Sequence, residues 1–465
     1  MPSKQFTLET RLEKSELTAY LNNFVSDYNK IYRYAWHRFT SQTFKDVFET
    51  DGKFVMHLCG KFGILRRTSN SIVRDIKGRV NALKELRKYE KSQLKIRISK
   101  KIECIAKLKA DINNLKPKVR EGFATEKELK RYRSAKRSLY FQQNKLNKMQ
   151  QSLFNLEYKI KNGVYKLCFG SSKMLKKQHL LTENNYKSHI KWYNDYIKMR
   201  DRNIYSIGSS EETQGNQMFQ MVYNQDSDDF SFKVRKDCGY DVDSKYIYYN
   251  NLDFGYLFLK NRLKELCISH QNGLKEQPLS YRFHREGNKW YLQVMFAIKF
   301  EEYETTNKYG TLGLDYNNGF IEMSETDEKG NLIAQKHYNL AYHGTGNKAK
   351  SEIREVISNI VNIALSKGKD ISIENLDFKK TKAKTTKGKN KGYNRMIHAF
   401  DYSRYIETIS NACHRKRVNL IMVEACNTSK IGKEKYSNQK KLNTHQAASY
   451  VIARKGQGFV DKITA

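Results

Sequence analysis

The feature that most constrains this chain is an apolar row at heptad spacing. Tyr132, Leu139, Leu146, Leu153 and Ile160 recur every seven residues, with Ala135, Met149 and Leu156 at the complementary position and only the polar Gln142 interrupting that second row. Residues at this period share one stripe of a long helix, and the stripe must be covered. A matching set precedes it: Leu94, Ile98, Ile102, Ile105, Leu108, Ile112 and Leu115. Between them LKPKVREG carries Pro117 and Gly122, which suit the end of one helix and a turn. The expected object is an antiparallel helical hairpin over residues 77–161, its seam serving packing rather than a site. The same stripe would equally serve a partner chain, so oligomeric state stays open.

The outer faces of this hairpin are rich in Lys and Arg, and here composition enters. The 465 residues hold 86 Lys+Arg against 49 Asp+Glu, a formal net charge of +37. Such an excess repels itself unless a polyanion neutralises it, and nucleic acid is the first candidate; a merely solvated face is the alternative reading of the hairpin. No stretch approaches the roughly 18 apolar residues of a membrane span, and MPSKQFTLET lacks the apolar run of a signal peptide. The expectation is a cytosolic protein with no membrane partner. Seven scattered cysteines form no CxxC pair, which argues against a disulfide framework and against a zinc ribbon, so no zinc is expected. The 31 tyrosines suit base stacking, although most aromatics serve packing.

Along the chain, KQFTLETRL alternates as a half-buried strand does, and Ser15 is placed to cap the helix that follows. Residues 162–235 read as mixed helix and loop, with SIGSSEETQGNQ as a connection. Strand signals return in KYIYYNNL and in the two alternating runs flanking REGN, which read as a hairpin. These later strands are expected to join the N-terminal strand in one small barrel or sheet, interrupted by the helical insertion. From residue 306 the order becomes three meandering strands, then helix, strand, helix, strand, helix, which means an α/β layer architecture with a partly parallel sheet.

Two carboxylates occupy similar settings there: Asp315 in LGLDYN and Glu374 in ISIENLDF, each at the end of an apolar strand. Ligands gather at the carboxyl ends of strands in open sheets, and two close acids repel unless a divalent cation holds them. Oxygen-only ligands favour Mg²⁺ or Mn²⁺. The competing reading is a turn-capping Asp315 and a solvent-facing Glu374. Glu322 and Glu325 are expected as exposed polar positions of the meander. Directly after the second acidic strand comes KKTKAKTTKGKNKGYNR, in which Lys379, Lys380, Lys382, Lys384, Lys387, Lys389, Lys391 and Arg395 stand without one acid. This run suits a phosphate backbone, or else is a plain surface loop.

LGLDYN with its meander, SIENLDF, and the ending VEACNTSKIGKEKY and KLNTHQAASYVIARKGQGF together resemble the RuvC-like nuclease domain of the TnpB (OrfB) transposon-encoded proteins, relatives of the type V CRISPR effectors. The resemblance is strongest over residues 306–460. It implies a multidomain α/β and α+β chain: a small β-barrel wedge domain (1–14 and 236–305), interrupted by a helical recognition domain (15–235), and an RNase H-like (RuvC) C-terminal domain (306–465). It further implies a guide RNA and target DNA as partners, a place in the prokaryotic cytosol or nucleoid, and a Mg²⁺- or Mn²⁺-dependent endonuclease whose first and second metal-holding catalytic acids are Asp315 and Glu374. The family's third acid commonly stands two residues before an N-A-A or Q-A-A tripeptide. Here Gln446-Ala447-Ala448 puts Thr444 at that position, and the family's zinc-binding cysteine pairs are missing, since Cys426 stands alone. A displaced third ligand would come from His445, Glu424 or Asp461. The alternatives are a nuclease-inactive RNA-guided DNA binder acting as a transcriptional regulator, a decayed transposon passenger, and an unguided basic nucleic-acid-binding protein with a helical arm.

Overall fold

The computed structural model describes residues 3–212, 215–236, 246–317, 319–340, 346–376 and 402–461. The chain divides into two compact units, one of Gln5–Leu94 and Tyr140–Ile298, the other of Met1–Lys4, Lys95–Leu139 and Lys299–Ala465. Among the described residues no helix is long and apolar enough to cross a membrane.

In the first unit, strand β1 (Ser3–Leu12) leads into helix α1 (Glu16–Phe39). Ser15 caps α1 by accepting from the Thr18 amide, while Thr18 accepts from the Ser15 amide in return. Leu17, Leu21, Phe24, Tyr28, Ile31 and Tyr32 then return at helical spacing on its buried face. After α2 (Asp51–Phe62) come the two long helices, α3 (Arg66–Arg120) and α4 (Glu126–Lys161), whose residues 95–139 are counted with the other unit. They join through a turn in which Gly122 takes a φ of +78°, a conformation that costs glycine little. The first helix runs through Pro117 instead of stopping at it. A proline lacks the N–H and removes one rung, here three residues before the helix ends, and beyond it the Glu121 amide bonds to the Pro117 carbonyl. Ion pairs Lys91–Glu157, Asp111–Arg131 and Lys118–Glu128 tie the two helices together along their length. Helix α5 (His189–Arg200) follows.

Among the described residues the strands of this unit pair in two sheets and not in one. β2 (Asn203–Ser206), β6 (Ser280–Glu286) and β7 (Lys289–Lys299) make a four-stranded sheet with β1 in the order β1-β7-β6-β2. The Gly287-Asn288 loop of REGN joins β6 to β7. A separate three-stranded sheet holds β3 (Phe219–Asn224), β4 (Asp229–Arg235) and β5 (Tyr246–Leu252), with helix α6 (Leu257–Gln271) packed against it. Thus residues 203–235, read from sequence as helix and loop, contribute three strands. Their runs are four to seven residues long and carry polar residues on the half-exposed face, so no apolar row longer than the run betrays them. Phe219, Phe230, Phe232, Tyr281 and Phe283 fill the core behind them.

In the second unit a five-stranded sheet runs β10-β9-β8-β11-β12. Strands β8 (Thr306–Asn317), β9 (Phe320–Thr326) and β10 (Leu332–Asn339) are antiparallel neighbours, whereas β11 (Lys369–Asn375) lies parallel to both β8 and β12 (Leu420–Glu424). Helices α7 (Asn347–Lys367) and α8 (Tyr402–Arg415) bring Ile353, Ile357, Ile360 and Ile409 into one core with Leu312, Leu314, Ile321, Ile371 and Ile373. The opposite face receives helix α9 (Thr444–Gly456). The sheet is therefore covered on both sides, and Glu322 and Glu325, expected at the surface, are buried at 2% and 3% exposure. Glu325 is held by Lys367 and Lys369. Burial alone would raise its carboxyl, but the two lysines more than offset this and hold it below the usual range.

Candidate functional site

Helix α9 lies unusually close to the sheet. A Cβ on Gly313 would overlap the Ser449 carbonyl and the Ala453 backbone, so only glycine fits there. Hydroxyls complete this seam: Thr311 donates to the Ala453 carbonyl at 2.7 Å, Ser372 to that of Ile452 at 3.1 Å, and Ser324 to that of Gln446 at 3.3 Å. The contacts run Ala453 to Thr311, then Ser449 to Gly313, so the helix is antiparallel to β8 and its first turn meets the end of that strand. Asn443 caps the helix by accepting from the His445 and Gln446 amides.

Side chains two apart on a strand share a face, so Asp315 follows Thr311 and Gly313 toward α9. The β8–β11 ladder ends at Leu314 opposite Ile373, one residue before Asp315 and Glu374. Both acids therefore leave neighbouring parallel strands at the same level. On the other side Asp315 is paired directly with Glu322, and Glu322 with His337, so the row continues across β9 to β10.

Asp315 is partly buried, and its Oδ2 accepts from Asn317 at 2.8 Å and lies 3.0 Å from His445 Nδ1. The contact with Asp315 raises the His445 pKa above its ordinary value; burial opposes, and the charges of Asp315 and Glu322 reinforce. Glu374 receives the Thr428 hydroxyl on Oε1, while its own backbone carbonyl accepts from Tyr402. Burial pushes the Glu374 carboxyl up, Thr428 pulls it down, Asp315 pushes it up again and Lys455 lowers it; the net is upward. The push of Asp315 on Glu374 is the like-charge repulsion expected of two acids at one site.

His337 Nδ1 stands 2.7 Å from Glu322 Oε1, and the other carboxylate oxygen of Glu322 is buried without a hydrogen-bond partner. The Phe320 ring lies 5.2 Å from both His337 and His445. Reading the sequence alone missed Glu322, His337 and Thr428. The spacing Glu322, Ser324, Thr326 already puts Glu322 on one strand face, but only the packing of α9 makes that face an interior one.

The three candidates for a third ligand part company. His445 joins Asp315. Glu424 pairs opposite Asn375, one residue past the Glu374–Val423 rung, so the pleat turns it to the other face, where it is exposed. Asp461 is buried among Arg454, Lys435 and Tyr436, at 2.8, 2.8 and 2.7 Å. Burial would raise its carboxyl, but these three partners bring it down to about 2, and it is committed to bracing the end of the fold. Thr444 opens α9 as its first residue. The basic run Lys379 to Arg395 lies outside the described residues.

Among the described residues no three His, Cys, Asp or Glu side chains stand close enough, as arranged, to enclose a metal ion. The donor chemistry nevertheless fits a hard divalent cation: two mutually repelling carboxylates, and on the same face a buried carboxylate oxygen lacking a partner.

No protein-family model matches the chain, and no curated protein does. Solved structures similar to it include a cryo-EM structure of a Cas12i–crRNA–dsDNA complex, with 12% identity and a TM-score of 0.36 over 81% of this chain and 60% of that one. The selenomethionine-derivative Cas12i1 R-loop complex before target DNA cleavage has 12% identity and a TM-score of 0.18, over 87% of this chain and 49% of that one. The Cas12i1–crRNA binary complex has 11% identity and a TM-score of 0.18, over 87% of this chain and 50% of that one. The chain thus spans between half and three fifths of the length of these proteins.

Proposed function

We propose that the five-stranded unit is a RuvC-like, Mg²⁺- or Mn²⁺-dependent DNA-cleaving centre in a chain that binds a guide RNA and pairs it to target DNA, in the manner of the TnpB proteins. The observation that carries the reading is the β8–β11 ladder, which delivers Asp315 and Glu374 side by side at the carboxyl ends of parallel strands. The strand order, three antiparallel strands continued by two parallel ones, is compatible with the RNase H-like domain that the sequence motifs suggest. Asp315 and Glu374 would hold the cation, which when bound activates water and stabilises the leaving oxygen of a phosphodiester. His445 and Asn317 orient the Asp315 carboxylate through Oδ2, and Thr428 orients Glu374 through Oε1. The net charge of +37 supplies the sequence-independent grip on phosphate. The helical and wedge portions, residues 15–235 with 1–14 and 236–305, are assigned to holding the RNA and its heteroduplex.

The test is to sequence RNA co-purified with the protein and then incubate the complex with matched DNA and Mg²⁺. Asp315→Ala should abolish cutting while retaining RNA; loss of both together would give Asp315 a structural role instead. A second reading, a guided DNA binder that does not cut, is favoured by Thr444 standing where a third acid is expected. It predicts bound target with no nick in either Mg²⁺ or Mn²⁺.

A further inference from the structure

The unit of Gln5–Leu94 and Tyr140–Ile298 contains a cavity of about 160 Å³ between α1, α3, the segment around Phe169, the end of α5 and strands β2 and β6. A cavity of roughly 150 Å³ accepts one benzene ring, so there is room here for one flat aromatic group. Its lining is unlike an apolar hole: Arg79, Arg200, Arg202 and Arg282 face a single acid, Asp75. That acid is already engaged, accepting from the Tyr32 hydroxyl at 2.7 Å and from Arg79 Nε at 2.8 Å. Arg200 is taken by Asp201. For Arg202 and Arg282 no carboxylate partner exists among the described residues, so the cavity keeps two uncompensated guanidinium groups.

Tyr205 and Arg282 are directly opposite each other on β2 and β6 and so share a face. The Arg282 guanidinium lies 5.4 Å from the centre of the Tyr205 ring. Tyr28 sets the backbone beneath this pair by donating to the Tyr205 carbonyl at 3.0 Å, and Asn29 secures the same strand by donating to the Asn203 carbonyl at 3.0 Å. An aromatic face, a planar guanidinium and spare positive charge are what an unstacked base with its phosphate requires. Single-stranded RNA offers such bases in loops and ends.

We infer that this cavity takes one unstacked nucleotide of a single-stranded RNA, the base against the Tyr205–Arg282 face and the phosphate on Arg202 and Arg282. The inference rests on the reading that the chain carries RNA, and it adds the place where one nucleotide of that RNA is held.

The experiment uses the full chain freed of co-purified RNA, with short single-stranded oligouridylate as probe. Fluorescence anisotropy should show binding that Arg202→Ala with Arg282→Ala weakens about tenfold, as expected for losing one stacked and charge-held base. Ultraviolet crosslinking should place an adduct on the peptide bearing Tyr205. Unchanged melting of the unliganded double variant separates lost contacts from lost fold; if it melts early, Arg282→Lys, which keeps the charge but not the plane, should still weaken binding. Wild-type affinity in the variants, with adducts elsewhere, overturns the inference while leaving RNA binding intact. Equal binding and the same adduct with oligodeoxythymidylate overturn the assignment to RNA. Stabilisation by uridine monophosphate without oligouridylate binding makes this a free-nucleotide site and overturns it too. Failure of every nucleic acid to bind removes the proposed function along with it.

Discussion

His445 Nδ1 lies 3.0 Å from Asp315 Oδ2, joining the first residues of the last helix to the end of the central strand. The contact raises the pKa of His445. The stabilisation it brings is therefore fully present below the imidazole's ordinary value near 6.5 and is lost as pH rises through the higher folded value. Asp315→Asn should move the His445 midpoint back down, read by NMR titration of the imidazole without divalent ions. A midpoint indifferent to the substitution would show that the pair does not persist in solution.

Glu322 faces His337 with one oxygen and leaves the other buried and unpartnered. The Glu322 contact raises the His337 pKa, helped by Asn339 and opposed by burial. Glu322→Gln keeps the volume and removes the charge, so His337 should titrate lower. If the spare oxygen supports a cation beside Asp315, Mn²⁺ affinity by calorimetry should fall about tenfold or more, the usual effect of disturbing a metal's outer partners. Unaltered Mn²⁺ affinity would confine Glu322 to its histidine.

Gly313 lets α9 rest its backbone on the sheet. Gly313→Ala should destabilise the protein by about 1–3 kcal/mol through overpacking, measured by denaturant unfolding. Gly78, inside the long helix α3 with open space around a would-be Cβ, is the control. Gly78→Ala should stabilise by about 0.5–1 kcal/mol. Equal effects at the two sites would contradict the close helix–sheet contact.

Asp461 braces Arg454 and Lys435 and titrates near 2. Because its folded pKa is depressed, its stabilising effect is present above the unfolded value near 3.9 and disappears as pH falls toward 2. Asp461→Ala should cost about 3–5 kcal/mol, since Arg454 loses a buried partner. If cutting is observed, the folded variant should retain it in Mg²⁺; cleavage lost with stability intact would return Asp461 to the list of ligands.

Much of this was legible residue by residue. The Ser15 cap, the two long helices, the REGN hairpin and the strand–helix alternation after residue 306 are local patterns, and each formed. Asp315 and Glu374 could be singled out because each is an acid at the end of an apolar strand. Glu322 could not, because an acid on an alternating strand looks exposed until something covers that face. The short strands at 203–235 escaped for a related reason: four to seven residues with one polar face carry too little pattern to outweigh the turns between them.

Periodicity and capping belong to neighbouring residues, and so the chain alone determined the long helices, the strands outside 203–235 and which acids stood out. Registry between distant strands does not. The step that brings Leu314 beside Ile373, the glycine that admits α9, and the contact that joins His445 to Asp315 all depend on residues more than fifty apart in the chain. Only the packed sheet decided them, because a carboxylate's role is set by the charges and donors around it, and those arrive from elsewhere in the chain.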